Sequence, residues 1–502
     1  MLVHTAGGKA KTRTSYQLVG LGLPRKYGVH NNTLVNLRRG LVERVFNVEG
    51  PTGLQRPPQP VEGLLSRNLA PYMTQLRSVL PVTAPSTPEQ FVECYRGDRR
   101  WRVYENARLS LQAQPVDRRD ARLKTFVKAE KVDFTTKADP APRVIQPRNP
   151  RYNLEVGRYL KKLEHQIFEA ISGVNGGIPV VMKGYNAHGT AELLRRKWDM
   201  FNSPVAIGLD ASRFDQHVSI DALKWEHGVY LSCFKGQDRV ELAKLLSWQL
   251  HNKGVGTAVD GYIKYSVDGC RMSGDMNTGL GNCLLMCAMV WSYCNSKGIV
   301  HQLANNGDDC VVICERKDLA KFMNGLQQWF LDMGFTMKIE EPVYTFEKIE
   351  FCQTQPVWGG DRWVMTRNPW KCIPKDLMTF LDVNRPEVAH GWLAAIGECG
   401  LSLSGGLPVL QEFYSALLRN SRGGRVAKHP ALESGFFRLA RGMGRRASDI
   451  SDATRVSFWE AFGILPSTQE QLEEEYKLAK VSTKVTHVEK IEADFSILPA
   501  AI

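Results

Sequence analysis

Residues 299–314 read IVHQLANNGDDCVVIC, with two short apolar runs on either side of Gly307, Asp308 and Asp309. The second run is rich in β-branched residues, and a glycine with acidic neighbours is typical of a tight turn. The stretch therefore predicts a β-hairpin with two carboxylates at its tip. Adjacent carboxylates repel each other unless a cation lies between them, and Mg²⁺ prefers oxygen ligands of this kind. This hairpin is a candidate for half of a metal site.

A second acidic segment lies upstream, in PVAIGLDASRFDQH at residues 204–217. An apolar strand over residues 205–209 leads directly into Asp210, and Asp215 follows five residues later. Carboxylates at the end of one strand and at a neighbouring hairpin tip can hold two cations about 3.5–4 Å apart, the spacing used for in-line phosphoryl displacement. The two segments together predict a two-metal site.

Between these acidic segments, residues 271–294 read RMSGDMNTGLGNCLLMCAMVWSYC. Ser273 and Gly274 suit a mobile turn. Thr278 and Asn282 are four residues apart, so they share one face if the apolar run after Gly281 is a helix. Polar groups on that face can bond a sugar hydroxyl, and a protein needs such a contact to distinguish RNA from DNA.

The order Asp210-x₄-Asp215, Ser273-Gly274-x₃-Thr278-x₃-Asn282 and Gly307-Asp308-Asp309 resembles that of the palm of viral RNA-directed RNA polymerases. The wording KGYNAHGTAELLRRKW, DASRFDQHVS, SGDMNTGLGN and NNGDDC is similar to that of replicases of the tombusvirus family of plus-strand plant viruses, in its carmovirus-like branch. The resemblance covers residues 124–372, and the two ends of the chain carry no motif that can be matched.

The resemblance implies an α+β fold arranged as a right-hand polymerase, with fingers, a palm whose antiparallel sheet is of the ferredoxin-like type, and a mostly helical thumb. The expected parts are an N-terminal basic arm and linker at 1–70, fingers at 71–204, a first palm segment at 205–219, a fingers insertion and palm return at 220–268, palm at 269–357, thumb at 358–466, and an acidic C-terminal helix and tail at 467–502.

The implied activity is RNA-templated RNA synthesis by two-metal nucleotidyl transfer, which replicates a plus-strand RNA virus genome. Asp210 and Asp308 would ligate two Mg²⁺ ions, for which Mn²⁺ can substitute, and Asp309 would support them from a more peripheral position. Lys338 matches a lysine thought to protonate the leaving pyrophosphate. The alternative for Lys338 is a lysine that merely flanks a palm strand.

Further site residues are carried over by match. Those assigned to ribose binding or to the loop that follows template movement are Asp215, Ser273, Gly274, Thr278 and Asn282. Those assigned to the incoming triphosphate are Lys128, Lys131 and Arg143, for which a solvated strand face is the alternative. Those assigned to RNA are Lys183, in a Gly-rich loop that is otherwise an ordinary surface loop, and Phe351, Cys352 and Gln353, at the turn of a hairpin over residues 347–357.

The composition suits a polyanionic partner. The 502 residues are 43% hydrophobic, which is enough for large cores, and they carry a formal charge of +13 with a pI near 9.2. Lysines and arginines are bunched, which favours nucleic acid over mere solubility. The expected partners are template and product RNA, nucleoside triphosphates, a membrane-anchored auxiliary replication protein of the same virus, and a second copy of the chain.

The eleven cysteines are scattered and several lie inside apolar runs, which predicts buried thiols in a reducing compartment. The longest apolar stretch, residues 283–293, is too short to cross a bilayer, and no signal peptide is evident. In the family, the polymerase portion follows an upstream membrane-bound region by readthrough. The chain would then be the downstream part, in the host cytoplasm on the cytoplasmic face of an organelle membrane.

Three other classes of protein remain open. A reverse transcriptase shares the palm chemistry, but Asn282 and Gly307 favour RNA synthesis from RNA, and extension with dNTPs alone separates the two. A non-catalytic RNA-binding scaffold has no need for Asp210 and Asp308, so Mg²⁺-dependent product formation decides that case. A zinc-organised interaction protein needs a CxxC pair with a matching histidine pair, and elemental analysis would detect its metal.

Overall fold

Helices and strands are interspersed along the chain in a computed structural model that describes residues 1–8, 12–18, 21, 25–50, 53–136, 138–426, 435–481 and 495–497. Helices α1 to α18 span Leu34–Leu41, Leu64–Val79, Pro88–Glu93, Arg100–Ala113, Pro150–Val174, Ala187–Trp198, Phe214–His217, Ile220–Ser232, Gly236–Ser247, Thr278–Ser296, Leu319–Met323, Leu326–Asp332, Pro369–Asp376, Pro386–Ser404, Leu410–Asn420, Gly435–Leu439, Asp452–Phe462 and Pro466–Leu478. Strands β1 to β18 span Leu2–Thr5, Tyr16–Gln17, Tyr27–His30, Val48–Gly50, Gly53–Gln55, Leu123–Val127, Val132–Asp133, Val144–Ile145, Pro204–Ala211, His251–Ala258, Gly261–Asp268, His301–Asn306, Asp309–Glu315, Met337–Ile339, Thr354–Trp358, Trp363–Arg367, Met378–Thr379 and Phe495–Ile497. The mixed α and β character predicted from the sequence is confirmed.

The predicted acidic residues lie on a four-stranded sheet with the strand order β12-β13-β9-β14. Each neighbouring pair is antiparallel. With α10 leading into β12 and α12 leading into β14, the chain order along this sheet is strand, helix, strand, strand, helix, strand. This is the succession of a ferredoxin-like β-α-β-β-α-β unit.

Strand β13 lies at the centre of the protein and is covered on both faces. Cys310, Val312 and Cys314 contribute to one core cluster, which also contains most of α10. Val311 and Ile313 contribute to a second cluster, which contains residues of α14 and α15. Successive side chains of a strand point to opposite faces, so a strand that is buried on both faces needs apolar residues at every position. This explains the sequence CVVIC.

The N-terminal segment is integrated into the fold. β1 pairs with β11 at the edge of a five-stranded sheet of order β1-β11-β10-β6-β8, and β2 pairs with β17, far along the chain. The apolar face of α1 (Leu34, Leu37 and Leu41) packs into a cluster with residues of β6, β8 and β11. The segment expected as a basic arm thus pairs with strands of three sheets through β1, β2 and β3, and residues 56–61 have no regular secondary structure.

The region after residue 358 is mostly helical, as predicted. α14, α15, α17 and α18 share a core that includes Trp392, Phe413 and Phe458. The predicted acidic helix after residue 467 is α18. Of the predicted tail, residues 482–494 and 498–502 lie outside the described part of the chain, and β18 pairs with β3.

The short helices α11 and α12 are separated at Gly325, which takes a left-handed conformation at φ +83°. One local prediction was wrong. The hairpin expected over residues 347–357 is instead a tight turn at Cys352 and Gln353, followed by a separate hairpin of β15 and β16. The short apolar pattern of residues 347–357 does not indicate this separation of the turn from the hairpin.

The prediction of buried thiols agrees with the structure. All eleven cysteines are free thiols and most are buried. Among the described helices, none combines the length and the apolar character needed to traverse a bilayer.

Candidate active site

The acidic hairpin consists of β12, β13 and the two-residue turn of Gly307 and Asp308. Gly307 lies at φ +89°, which glycine adopts without strain. The buried Asn305 side chain holds the turn. Its Nδ2 donates to the carbonyl oxygens of Gly307 at 2.8 Å and Asp309 at 3.2 Å, and its Oδ1 accepts from the Gly307 N–H at 3.2 Å. The predicted hairpin is confirmed, with Asp308 in the turn and Asp309 as the first residue of β13.

Asp210 and Asp309 lie directly opposite each other, because β13 pairs with β9 in that register. Directly opposed residues share one face of a sheet, with their Cβ atoms about 4.5–5.5 Å apart. Asp210 is the seventh residue of β9, within the strand and not just beyond its end as predicted. Asp210, Asp308 and Asp309 are all solvent-exposed residues.

The electrostatics of the hairpin indicate uncompensated negative charge. Partial burial by neighbouring groups, and then the charge of Asp308, raise the pKa of the Asp309 carboxyl to about 6, and Asp210 acts in the same direction. Within the described ranges, no three acidic, histidine or cysteine side chains converge on one point. The facing pair of Asp210 and Asp309 is therefore the geometric support for the predicted metal ligands.

Lys338 lies opposite Asp210 on the other side of β9, in the register of β14. It is exposed, so its ammonium group is free to approach the acidic face. Two residues along, the backbone N–H of Glu340 donates to the carbonyl of Gly208 at 2.9 Å, and any Cβ at position 208 would collide with the Glu340 carboxylate. Burial, and then the charges of Glu350 and Asp210, raise the pKa of Glu340.

The structure brings together Asp215 and Asn282, two of the residues assigned to ribose binding. The Asn282 Nδ2 donates to Asp215 Oδ1 at 2.7 Å. Burial raises the pKa of Asp215, although the hydrogen bond from Asn282 and the charges of Arg271 and Arg143 oppose the rise. Thr278, the first residue of α10, instead donates its hydroxyl to the carbonyls of the preceding loop, at 2.8 and 3.0 Å.

The loop that contains Ser273 and Gly274 lies against the end of β8. The Gln146 N–H donates to the Ser273 carbonyl at 2.8 Å. Gly274 lies at φ +126°, and a Cβ there would be 3.2 Å from the backbone of Pro147. Gly274 is thus required both by its conformation and by a close approach, which fits a loop with a defined hinge point.

The three predicted triphosphate residues differ in their surroundings. Lys128 and Arg143 both contact the carboxylate of Glu130, at 2.8 and 3.3 Å. Lys131 points elsewhere: its Nζ donates to the carbonyl of Lys375 at 2.8 Å, and burial lowers its pKa to about 8. Lys128, which is half-buried, and Arg143, which is exposed, thus share one carboxylate partner, whereas Lys131 contacts α13.

Two of the four predicted RNA-contacting residues, Lys183 and Cys352, contact the acidic hairpin. Lys183 Nζ donates to Asn306 Oδ1 at 2.8 Å, and Asn306 Nδ2 lies 3.2 Å from the Cys352 thiol. Cys352 and Gln353 occupy the two central positions of a tight turn at φ +51° and φ +60°, and Phe351 before them is buried. The loop that contains Lys183 and the turn at Cys352 and Gln353 therefore both adjoin the candidate active site.

Comparison with known proteins identifies the family. A family model described as viral RNA dependent RNA polymerase matches residues 1–484. The chain belongs to the viral RNA-dependent RNA polymerase family. Its similarity to RNA-directed RNA polymerases of plant viruses confirms the resemblance drawn from the three motifs.

Three relatives show the extent of this similarity. The RNA-directed RNA polymerase of melon necrotic spot virus is 49% identical over 470 residues, covering 93% of this chain and 59% of the relative. That of turnip crinkle virus is 48% identical over 482 residues (95% and 61%), and that of tobacco necrosis virus strain A is 46% identical over 482 residues (96% and 66%). The chain thus spans 59–66% of the length of these viral polymerases.

Sequence reasoning missed three residues that shape the site. Asn305, which holds the hairpin turn, was signalled by its place just before a Gly-Asp turn, where Asn side chains commonly bond nearby backbone. Arg271 lies two residues before the Ser273-Gly274 pair, and its sequence context does not distinguish it from the many other arginines of the chain. Glu226, its buried partner in α8, carries no local signal, because only the tertiary fold brings it to Arg271.

Proposed function

We propose that this chain catalyses RNA-templated RNA synthesis by nucleotidyl transfer in the replication of a plus-strand RNA virus genome. The observation that carries the proposal is the strand register that sets Asp309 opposite Asp210, with Asp308 in the adjoining turn. Membership of the viral polymerase family supports it. A binding protein would have no use for three exposed, mutually repelling carboxylates at adjoining positions of two neighbouring strands and a turn.

Asp210, Asp308 and Asp309 would hold two Mg²⁺ ions, or Mn²⁺ in their place. Their carboxylate oxygens are the ligands that hard divalent cations take, and the raised pKa of Asp309 reflects negative charge that bound cations would offset. When bound, such ions lower the pKa of an attacking 3′-hydroxyl and neutralise a leaving pyrophosphate. Lys338, on the neighbouring strand, is positioned to give a proton to the leaving group.

The other predicted residues would bind the nucleotide and the RNA. Asp215 and Asn282 would bond the ribose hydroxyls of the incoming nucleotide, while Lys128 and Arg143 would attract its triphosphate. Ser273 and Gly274 would let their loop follow template movement. The remaining assigned contacts with substrate or RNA are Thr278, Lys131, Lys183, Phe351, Cys352 and Gln353, and among them Lys131 has the weakest support because its ammonium already serves Lys375.

The four-stranded sheet would form the palm, over residues 205–219 and 269–357. Fingers at 71–204 and 220–268, a thumb at 358–466, an N-terminal arm at 1–70 and an acidic C-terminal segment at 467–502 would complete the right-hand arrangement. Its partners would be template and product RNA, nucleoside triphosphates, a membrane-anchored replication protein of the same virus and a second copy of the chain, in the host cytoplasm at an organelle membrane. The basic composition supports the nucleic-acid partners.

The decisive test is the Asp308→Asn variant in a template-extension assay with heterologous RNA and four NTPs, with and without Mg²⁺. We expect RNA binding within a few-fold of the parent and no detectable incorporation, because each 1.4 kcal/mol lost from a rate enhancement of about 8–23 kcal/mol costs about tenfold in rate. Asp268→Asn is a matched control, since Asp268 is an exposed carboxylate that pairs with His251.

Incorporation at a near-parental rate by Asp308→Asn would refute the proposal. Product formed equally well without a divalent cation would favour contamination or a different chemistry. Extension with dNTPs alone, to the same length as with NTPs, would move the conclusion to a reverse transcriptase.

A further inference from the structure

A buried ion pair lies directly behind the candidate ribose site. Arg271, in the loop before α10, and Glu226, in α8, have side chains that are 0% exposed. The guanidinium donates to Glu226 Oε1 at 3.1 Å and also bonds Oε2. Tyr230 Oη and Asn277 Nδ2 each donate to Glu226 Oε1 at 2.7 Å. Each side-chain nitrogen of Arg271 and each carboxylate oxygen of Glu226 thus has at least one hydrogen-bond partner within the protein.

Both members of this pair are charged. Burial alone would raise the pKa of Glu226, but the charge and hydrogen bonds of Arg271 outweigh it and lower the pKa. A buried ion pair is rarely more stabilising than the apolar residues that could replace it, whereas removing only one partner is strongly destabilising. Such a pair is better explained by the geometry it imposes than by stability.

That geometry reaches the ribose site through one amide. Arg271 Nε donates to Asn282 Oδ1 at 3.1 Å, and Asn282 Nδ2 donates to Asp215 Oδ1 at 2.7 Å. An arginine only donates and an ionised aspartate only accepts, so the amide has a single orientation that satisfies both neighbours. The Arg271 backbone N–H also donates to the Asp215 carbonyl at 2.7 Å, which ties both ends of the relay to Asp215.

The backbone of Asn282 is fixed against the same pair. A Cβ on the preceding Gly281 would collide with the Arg271 guanidinium and lie 2.6 Å from the Glu226 carboxyl carbon. Helix α10 therefore passes the ion pair in direct backbone contact at the residue before Asn282. This close approach leaves the amide little freedom to move along the helix axis.

We propose that Arg271 and Glu226 are positioning residues for sugar selection: they hold the Asn282 amide so that Asp215 accepts, and Asn282 donates, at the position of a ribose hydroxyl. A hydroxyl both donates and accepts, whereas the hydrogen of a deoxyribose does neither. Among the hydrogen bonds of the described residues, those to the Asp215 carboxylate use Oδ1, which leaves Oδ2 to accept from the sugar. This inference rests on the proposed polymerase function and assigns its selectivity for ribonucleotides.

The test is Arg271→Lys, compared with the parent for single-nucleotide incorporation of an rNTP and of the matching dNTP. Lysine keeps the charge but cannot bond Glu226 and Asn282 together as the planar guanidinium does. We expect kcat/KM for the rNTP to fall at least tenfold while that for the dNTP changes less than threefold, so the ribose preference falls. General destabilisation of the protein would lower kcat/KM for both nucleotides, so a fall confined to the rNTP indicates a specific loss of ribose recognition.

Arg148→Lys is the matched control. Arg148 and Asp275 also form a buried ion pair, with side-chain exposures of 0% and 3%, but Arg148 bonds Ala121 and Asn252 and not the ribose pair. We expect Arg148→Lys to lower incorporation of both nucleotides in equal proportion. An unchanged rNTP to dNTP ratio in folded Arg271→Lys, or an equal change in both variants, would overturn the inference.

A second measurement decides the matter if Arg271→Lys folds poorly. The double variant Arg271→Met/Glu226→Leu replaces the pair by apolar side chains, a change that buried ion pairs commonly tolerate. Its ribose preference should fall to that of Asn282→Ala, and adding Asn282→Ala should lower it no further, because all three act through one amide. Additive losses would contradict the relay. Failure of the parent itself to incorporate rNTPs would instead refute the proposed function.

Discussion

The acidic hairpin and the polar network behind Asn282 are opposite kinds of structure. The hairpin is one contiguous segment, its carboxylates are exposed, and their charges oppose one another. The dry network, which we define as Glu226, His227, Gln249, Arg271 and Asn277, is gathered from three separate segments, is buried, and has its charges paired. The residues that would face substrate lack partners for their charges, whereas the buried residues beneath them have their charges and hydrogen bonds paired. The paired residues fix the geometry of the exposed ones.

We expect the largest effect from a substitution at Gly281, where the backbone of α10 contacts the dry network. Gly281→Ala places a methyl group against Arg271 and Glu226, neither of which can move into solvent. We expect a loss of about 3–5 kcal/mol in the free energy of unfolding, as for other disrupted buried ion pairs. Urea denaturation followed by tryptophan fluorescence measures it.

Gly279→Ala supplies the control on the same helix. Its Cβ would lie 3.4 Å from the flexible end of the Lys183 side chain, an ordinary contact, so we expect stability within about 0.5 kcal/mol of the parent, or a small gain from helix propensity. Equal losses at positions 279 and 281 would show that α10 resists any added methyl group and that the ion pair has no special role.

The same comparison explains what the sequence could and could not reveal. The hairpin and Asp210 were predictable because turn chemistry, β-branched residues and acidic spacing all lie within short windows. The family resemblance assigned Asp215 and Asn282 to ribose binding, and the hydrogen bond between them is a finding of the structure. Glu226 was invisible, because an isolated glutamate in a helix is ordinarily a solvated residue and its partner is 45 positions away.

The acid sensitivity of the dry network gives the next prediction. Burial lowers the pKa of His227 from 6.5 to about 4, so the unfolded chain binds the extra proton first as pH falls. Stability should therefore decrease as pH is lowered from about 6.5 towards 4, and this histidine contributes up to about 3 kcal/mol of the loss. His227→Gln retains a donor to Gln249 and does not titrate, so it should lose less stability over that range.

The measurement is urea denaturation at pH 7, 5.5 and 4.5 for the parent and His227→Gln. The control is His165→Gln, because the His165 side chain is 83% exposed beside Glu169 and should leave the pH dependence as in the parent. If the free energy of unfolding of His227→Gln falls with pH as much as that of the parent, His227 does not cause the acid sensitivity. Burial of the network at this position would then be incomplete.

We expect the smallest change in stability at the exposed turn of Cys352 and Gln353, which contacts the acidic hairpin. Cys352 and Gln353 both have positive φ, at +51° and +60°, a conformation that costs about 1 kcal/mol for a residue other than glycine. Gln353 is exposed, so Gln353→Gly should raise the free energy of unfolding by up to about 1 kcal/mol. Gln353→Asn should give a smaller gain, since asparagine tolerates this conformation better than glutamine.

The same variants test whether this strained turn serves RNA. If the Gln353 side chain contacts RNA, as predicted, Gln353→Gly will weaken binding of a primer–template duplex several-fold while the protein becomes more stable. A stability gain with unchanged RNA affinity would instead assign the turn to holding Cys352 against Asn306. In that case the backbone strain at the exposed Gln353 could be relieved without loss of function. Gly281 differs, because the buried ion pair there leaves no room for an added methyl group.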